Sequence, residues 1–204
     1  MKLKSITLSE AEFRYIEEVN FHNNKLLYII INIVSILSFP VAYAVLFYFT
    51  NIFIINKPVS IFYYFISFSR MPNIDLLLFL VLLIFMMTIH ELIHGLFFYL
   101  FTGEKPVFGF KNLSAYAGVP NRYIKKNYYL IACLSPLIIL TIAGLVIFFI
   151  AENTFAAVMF IIISAHAAGC IGDIWVSIKL INKPAETFVN DDGMVIRIGN
   201  EFIS

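Results

Sequence analysis

Residues 74–101 read IDLLLFLVLLIFMMTIHELIHGLFFYLF, an almost uninterrupted apolar run. A helix needs about 20 apolar residues to cross the roughly 30 Å hydrocarbon layer of a bilayer, so the run predicts a transmembrane helix. Three polar side chains, His90, Glu91 and His94, interrupt it about two thirds of the way along. Because ionisable groups at such depth are costly unless they are paired or coordinated, these residues predict a functional site.

Three further apolar segments of similar length lie at residues 26–55, 128–151 and 154–181. The first contains Pro40 and the second contains Pro136, which membrane helices tolerate as kinks. Of the 204 residues, 61% are apolar and only 13% are charged, whereas soluble domains carry roughly 25% charge. We therefore predict an all-α integral membrane protein with about four transmembrane helices, solvated by the lipid bilayer.

The distribution of lysine and arginine predicts the orientation of the chain. Short cytoplasmic loops retain positive side chains. Of the 14 Lys and Arg residues, only Lys57 and Arg70 lie in the other loops; the remainder lie before the first segment, between the second and third, or around the end of the fourth. This pattern predicts a multi-pass protein of the cell membrane with both termini in the cytoplasm. The net charge of +1 gives no reason to expect nucleic acid as a partner.

The first 25 residues are expected to form a cytoplasmic amphipathic segment before the transmembrane domain, which covers residues 26–181. Ser9 and Glu12 have the spacing of a capping box, in which two side chains bond backbone N–H groups at the start of a helix. We therefore expect a short helix at the cytoplasmic membrane surface. Its apolar residues are Phe13, Tyr15 and Ile16.

Two stretches outside the apolar segments predict β-structure. Residues 103–127 contain two short apolar runs on either side of a polar turn, which predicts a small cytoplasmic β-hairpin between the second and third helices. The tail, residues 182–204, is expected to be cytoplasmic. In it, residues 190–193 form a turn signature, and residues 194–198 alternate as a strand does.

His90, Glu91 and His94 match the pattern His-Glu-x-x-His. Two imidazoles four residues apart lie on one side of a helix and can share a zinc ion. The carboxylate beside them cannot readily reach the metal, but it can accept a proton from a zinc-bound water and generate a nucleophile. The pattern also arises by chance on solvated helices, but no surface role explains it inside an apolar segment. We predict Zn2+ as the cofactor, with Glu91 as the catalytic base.

A catalytic zinc ion needs a third protein ligand, and the fourth apolar segment offers candidates. In a continuous helix, its polar residues share one side; they are His166, Cys170, Asp173 and Ser177. Asp173 lies about 8 residues from the cytoplasmic end of its segment and the histidine pair about 9 from theirs, levels that agree to about 2 Å. His166 lies some 10 Å farther from that end. We therefore predict Asp173 as the third ligand.

His166 and Cys170 keep several interpretations. We expect His166 in the pocket rather than on the metal, either beside a ligand or as a donor to the oxyanion of a tetrahedral intermediate. A ligand in a rearranged site and a buried histidine bonded to a backbone carbonyl are the other readings. Cys170 is either a small buried apolar residue or a thiolate ligand.

The run His-Glu-Leu-Ile-His-Gly at 90–95, with Gly172 and Asp173 in the last segment, resembles a bacterial family of zincin peptidases long described as a domain of unknown function. That family is similar to the site-2 proteases, intramembrane metalloproteases that cleave membrane-embedded substrates near the cytosolic face. The resemblance covers roughly residues 70 to 180.

The resemblance implies His90 and His94 as zinc ligands, Asp173 as the third ligand and Glu91 as the catalytic acid and base. The site-2 proteases also carry an Asn and a Pro upstream of the liganding Asp. Residues 164–172 contain neither, so the resemblance does not identify the group that stabilises the oxyanion.

These features predict a zinc-dependent intramembrane endopeptidase that hydrolyses membrane protein or peptide substrates near the cytoplasmic face. The alternative is a non-catalytic zinc-binding membrane scaffold, chaperone or metal carrier, which would keep the ligands but perform no hydrolysis. Glu91 separates the two, because a structural zinc site does not need this carboxylate.

Overall fold

The computed structural model describes residues 5–6, 14–21, 23–53, 63, 66, 69, 73–111, 114–151 and 153–200. Within them the helices are α1 (Lys25–Phe53), α2 (Asn73–Thr102), α3 (Lys126–Ile150), α4 (Asn153–Gly169) and α5 (Ile171–Ile181). The strands are β1 (Ser5–Ile6), β2 (Arg14–Asn20), β3 (Val107–Lys111), β4 (Ser114–Gly118), β5 (Tyr123–Lys125), β6 (Thr187–Asp191) and β7 (Val195–Asn200).

Four helical spans in the described residues are long and apolar enough to cross a membrane. They are Lys25–Ile52, Leu76–Thr102, Lys126–Ile150 and Phe155–Ile181. These spans confirm the four apolar segments predicted from the sequence. Many of their large apolar side chains are exposed, which is the arrangement expected of helices that face lipid.

The sequence predicts one continuous helix for the fourth apolar segment, but the structure divides this segment into two helices. α4 ends at Gly169 and α5 begins at Ile171, with Cys170 between them. Two glycines within four residues, Gly169 and Gly172, weaken the helix here because glycine has a low helix propensity. The break places Asp173 in the first turn of a new helix.

The described residues are mostly helical, as predicted, but they are not all-α, because a five-stranded sheet that was not predicted accompanies the helices. Its strand order is β1-β5-β6-β7-β2, and every neighbouring pair is antiparallel. The sheet joins the N-terminal strands, the strand before α3 and the two strands after α5. Such pairing between distant parts of the chain has no local sequence signature.

The short helix expected in the first 25 residues is replaced by strand β2. β2 pairs with β7 from Arg14 opposite Asn200 to Asn20 opposite Val195. This long-range ladder overrides the local pattern that suggested a helix, and it buries the Val19 side chain. Ser9 and Glu12, the predicted capping box, lie outside the described residues.

Both β-structures predicted outside the apolar segments are present. β3 and β4 pair as an antiparallel hairpin between α2 and α3. β6 and β7 form a second hairpin, whose turn contains Gly193 with φ of +91°. Glycine adopts this backbone conformation without steric cost. The cytoplasmic location of either hairpin stays a prediction.

The chain divides into two compact units. The first contains residues 1–30, 88–136 and 173–204, and the second contains residues 31–87 and 137–172. In the first unit, apolar residues of α2, α3, α5 and the sheet form one buried cluster that includes Phe98, Tyr129 and Ile198. In the second unit, the rings of Tyr43 and Phe148 pack against that of Phe160.

Candidate metal centre

The two histidines of α2 face the same point. His90 and His94 are four residues apart, about one helical turn, so their side chains emerge on one side of the helix. Their Nε2 atoms lie 3.0 Å apart. The ring of His94 is buried, and it stacks on Phe98, with a centroid distance of 6.2 Å and an interplanar angle of 16°.

Asp173 reaches this point from the first turn of α5. Its Oδ2 lies 3.3 Å from Nε2 of His90, and its Oδ1 lies 3.5 Å from Nε2 of His94. One ligand atom from each of the three residues falls within 4.8 Å of the others. The structure therefore brings together the three residues predicted as metal ligands; their role as ligands stays a prediction.

The spacing of these atoms fits a zinc ion. Nitrogen and oxygen ligands lie about 2.0–2.1 Å from zinc, so neighbouring ligand atoms of a tetrahedral site stand roughly 3.3 Å apart. Here the two Nε2 atoms lie 3.0 Å apart. The separations to Asp173 are also close to this value, but they involve different oxygens of the carboxylate: 3.3 Å from His90 to Oδ2 and 3.5 Å from His94 to Oδ1.

The hydrogen bond behind His94 fits a metal as well. Its Nδ1 donates to the carbonyl oxygen of Ala132 in α3 at 2.9 Å, so in neutral His94 the lone pair is on Nε2. Metal-bound histidines ordinarily carry such a bond, which fixes the ring and the tautomer. A lone pair on Nε2 and a carboxylate that converge on one point favour a cation between them.

Glu91 follows His90 on α2 and is half-buried. Its carboxylate lies beside the backbone of Ala117 in β4, so the β3-β4 hairpin stands next to the predicted catalytic base. The hairpin also contacts α2 one residue after His94, where a Cβ on Gly95 would come within 2.3 Å of Cζ of Phe108. A glycine at this position lets the Phe108 ring approach the helix that carries the site.

Residues 83–188 match the family described as "Putative zincin peptidase". The chain belongs to this family. The matched part runs from the middle of α2 into β6, and it contains all three predicted ligands and Glu91. The family name indicates a zinc peptidase, in agreement with the zinc cofactor predicted from the sequence. No curated protein and no solved structure matches the chain.

His166 and Cys170, two other candidates from the fourth apolar segment of this zincin peptidase family member, lie in the second unit. They flank the end of α4, and Sγ of Cys170 lies 3.6 Å from Nε2 of His166. The backbone N–H of Cys170 donates to the carbonyl of His166 at 3.1 Å, which continues the helical pattern to this point. Both side chains are buried. The role of His166 beside a ligand or as an oxyanion donor stays a prediction, as does the choice between an apolar and a thiolate role for Cys170.

The helix that carries Asp173 is anchored at its opposite end. Nζ of Lys126 donates to the carbonyls of Ile181 and Lys183, at 3.3 and 2.6 Å, at the C-terminal end of α5. Lys179 and Lys183 both form ion pairs with Glu17 of β2. The hydrogen bond from Lys179 lowers the pKa of Glu17, so this carboxylate is charged at neutral pH. These contacts hold α5, and with it Asp173, against the sheet.

Sequence reasoning missed two groups: one that orients His94, and a buried acid in the same unit. One is the carbonyl of Ala132, which as a backbone group has no side-chain signature. The other is Asp191, buried at the end of β6, whose Oδ2 accepts a hydrogen bond from Tyr129 Oη at 2.6 Å. Burial raises the pKa of Asp191 to about 6. An acid in a predicted turn gives no sign of such a partner, since the turn itself accounts for an acid at that position.

Proposed function

We propose that this protein is a zinc-dependent intramembrane endopeptidase that hydrolyses peptide bonds of membrane-associated protein substrates near the cytoplasmic face. The observation that carries the proposal is the convergence of His90, His94 and Asp173 beside Glu91, in a chain whose family name indicates a zinc peptidase. The three ligands lie on helices apolar enough to span a membrane. In the proposed topology both termini are cytoplasmic, as the Lys and Arg distribution favours.

In the proposed mechanism, His90, His94 and Asp173 hold the metal. Zinc, when bound, supplies a Lewis acid that polarises the scissile carbonyl and makes water acidic enough to attack near neutral pH. Glu91 accepts the proton of the attacking water and returns it to the leaving amine. Ala132 keeps the His94 ring in one tautomer throughout, because its carbonyl can only accept a hydrogen bond.

Replacement of Glu91 by Gln tests the proposal. Glutamine keeps the size of the side chain but cannot accept a proton, so we expect full zinc content and a loss of cleavage of at least about 100-fold, the lower range for general-base catalysis. The measurements are metal analysis of the purified protein and a proteomic comparison of membranes that contain wild type or variant. Substrates should accumulate uncleaved only with the variant.

Glu104→Gln is the matched control. Glu104 lies just after α2, ten residues after His94 in the sequence. Its carboxylate pairs with Arg122 at 2.7 Å. We expect this variant to cleave like wild type. Equal cleavage by wild type and Glu91→Gln would contradict the proposal, and zinc binding without any cleavage by wild type would favour the non-catalytic scaffold, chaperone or carrier.

A further inference from the structure

Helix α3 contains a proline, Pro136, four residues after Ala132. In a regular α-helix the carbonyl of residue 132 accepts the N–H of residue 136. Proline has no N–H, and its ring pushes against the carbonyl four residues earlier. Because residue 136 is a proline, the carbonyl of Ala132 lacks its usual helical donor.

Two other groups donate to this carbonyl. Nδ1 of His94 does so at 2.9 Å, and Oγ of Ser135 does so at 2.9 Å. A carbonyl oxygen has two lone pairs, so both are in use. A third donor, such as an N–H at position 136, would have to compete with His94 or Ser135.

Because the surroundings are buried, the loss of the hydrogen bond between His94 and Ala132 would be costly. Ala132 and Pro136 are fully buried, and His94 is 8% exposed. Water therefore has little access to replace a lost hydrogen bond, and an unpaired buried polar group is costly. The bond between Ala132 and His94 thus fixes the ring, with Nε2 directed at His90 and Asp173.

We infer that Pro136 is a positioning residue of the metal centre: by withholding an N–H, it reserves the Ala132 carbonyl for the His94 imidazole. This inference rests on the zinc site of the proposed function. The same turn of α3 also touches the third predicted ligand, because Sγ of Cys133 lies 3.4 Å from the backbone oxygen of Asp173. Pro136 acts on the metal only through the Ala132 carbonyl.

Two substitutions restore the N–H with different side-chain volumes, Pro136→Ala and Pro136→Val. In each, the new N–H competes for the Ala132 carbonyl, and we expect zinc to bind about tenfold more weakly, as is typical when the partner of a liganding histidine is lost. Zinc affinity is measured by competition with a coloured chelator in detergent. The thermal unfolding temperature of the zinc-free protein is measured in parallel. It should not fall for Pro136→Ala, because alanine favours the helix.

Pro40→Ala is the matched control, since Pro40 is the helix-internal proline of α1 and lies in the other unit. We expect it to keep wild-type zinc affinity. Weaker binding in both Pro136 variants, but not in the control, supports the inference. Wild-type affinity in either Pro136 variant overturns it, because a role in packing alone would depend on side-chain volume.

If neither variant folds, the position of the ring proton of His94 is measured instead, by nitrogen NMR of histidine-labelled, zinc-loaded wild type. A proton on Nδ1 of His94 that is protected from exchange supports the inference, and a proton on Nε2 overturns it. Affinity needs no cleavage assay, so the two proposals fail separately. Zinc binding without proteolysis removes only the proposed function, whereas unchanged affinity in the Pro136 variants removes only this inference.

Discussion

Asp173 supplies the third predicted ligand, with each carboxylate oxygen closest to a different histidine. Its removal should cost more zinc affinity than the roughly tenfold loss expected for an outer partner of a ligand. We expect Asp173→Ala to lose most of its zinc in metal analysis of the purified protein. His166→Ala is the comparison, because His166 is predicted to support the site without binding the metal. Full zinc in Asp173→Ala together with loss in His166→Ala would contradict the ligand assignment.

Asp191 gives the protein a specific dependence on pH. Burial raises its pKa to about 6, above the ordinary 3.8, so between these values the folded chain keeps a proton that the unfolded chain releases. This contribution to stability is complete below pH 3.8 and is lost as the pH rises through about 6. We expect the loss of this contribution to lower the free energy of unfolding by about 2 kcal/mol between pH 4 and pH 7.

Asp191→Asn should remove this dependence. Asparagine is neutral at every pH and can still bond with Tyr129 Oη, so it imitates the protonated acid. Relative to wild type, the variant should therefore become more stable as the pH rises from 4 to 7. Thermal unfolding in detergent at a series of pH values tests this expectation. Parallel curves for the two proteins would show that Asp191 does not titrate in this range.

At the scale of elements, the end of β4 and the β6-β7 turn pack backbone against backbone. The N–H of Val119 donates to the carbonyl of Asp191 at 2.7 Å. A Cβ on Gly118 would come within 2.5 Å of the backbone carbon of Asp192 and the nitrogen of Gly193. Backbone atoms cannot rotate away as a flexible side chain can, so this contact requires glycine. It ties the hairpin beside Glu91 to the five-stranded sheet.

Gly118→Ala should therefore separate the hairpin from the sheet. We expect a loss of about 1–3 kcal/mol in the free energy of unfolding, as for other overpacked sites, and reduced cleavage with zinc retained. Gly169→Ala is the comparison, because a Cβ there meets nothing within 4 Å. Since alanine also favours the helix, we expect its free energy of unfolding to stay equal or to rise. Unfolding and zinc content of both variants check the prediction. Equal stability of the two variants would mean that the joint is not rigid.

The elements also explain which parts of the fold could be predicted. The four apolar spans could be predicted because a helix that crosses a membrane needs a minimum length and an apolar composition. The β6-β7 hairpin was readable from its turn residues. The break at Cys170 was not expected, although Gly169 and Gly172 are visible in the sequence, because the surrounding apolar residues favour one continuous span.

For the whole molecule, the limit was pairing over long distances. Ile6 pairs with Tyr123, and Arg14 pairs with Asn200, across more than 100 residues in each case. Strand β1 has only two residues in the described ladder, too few to carry an alternating pattern. At the site, the His90 and His94 spacing identified the chemistry, and helix depth suggested Asp173. The Ala132 carbonyl emerged only from the packing of α3 on α2.

The order of the ligands along the chain has a consequence for biosynthesis. His90 and His94 leave the ribosome early, whereas Asp173 follows 79 residues after His94. At roughly 5–20 residues per second, a nascent chain spends several seconds or more with two imidazoles and no carboxylate partner. The strand that closes the sheet onto β2 is β7, the last in the described residues. The predicted metal centre therefore cannot be complete until Asp173 has been synthesised, and β7 can close the sheet onto β2 only later still.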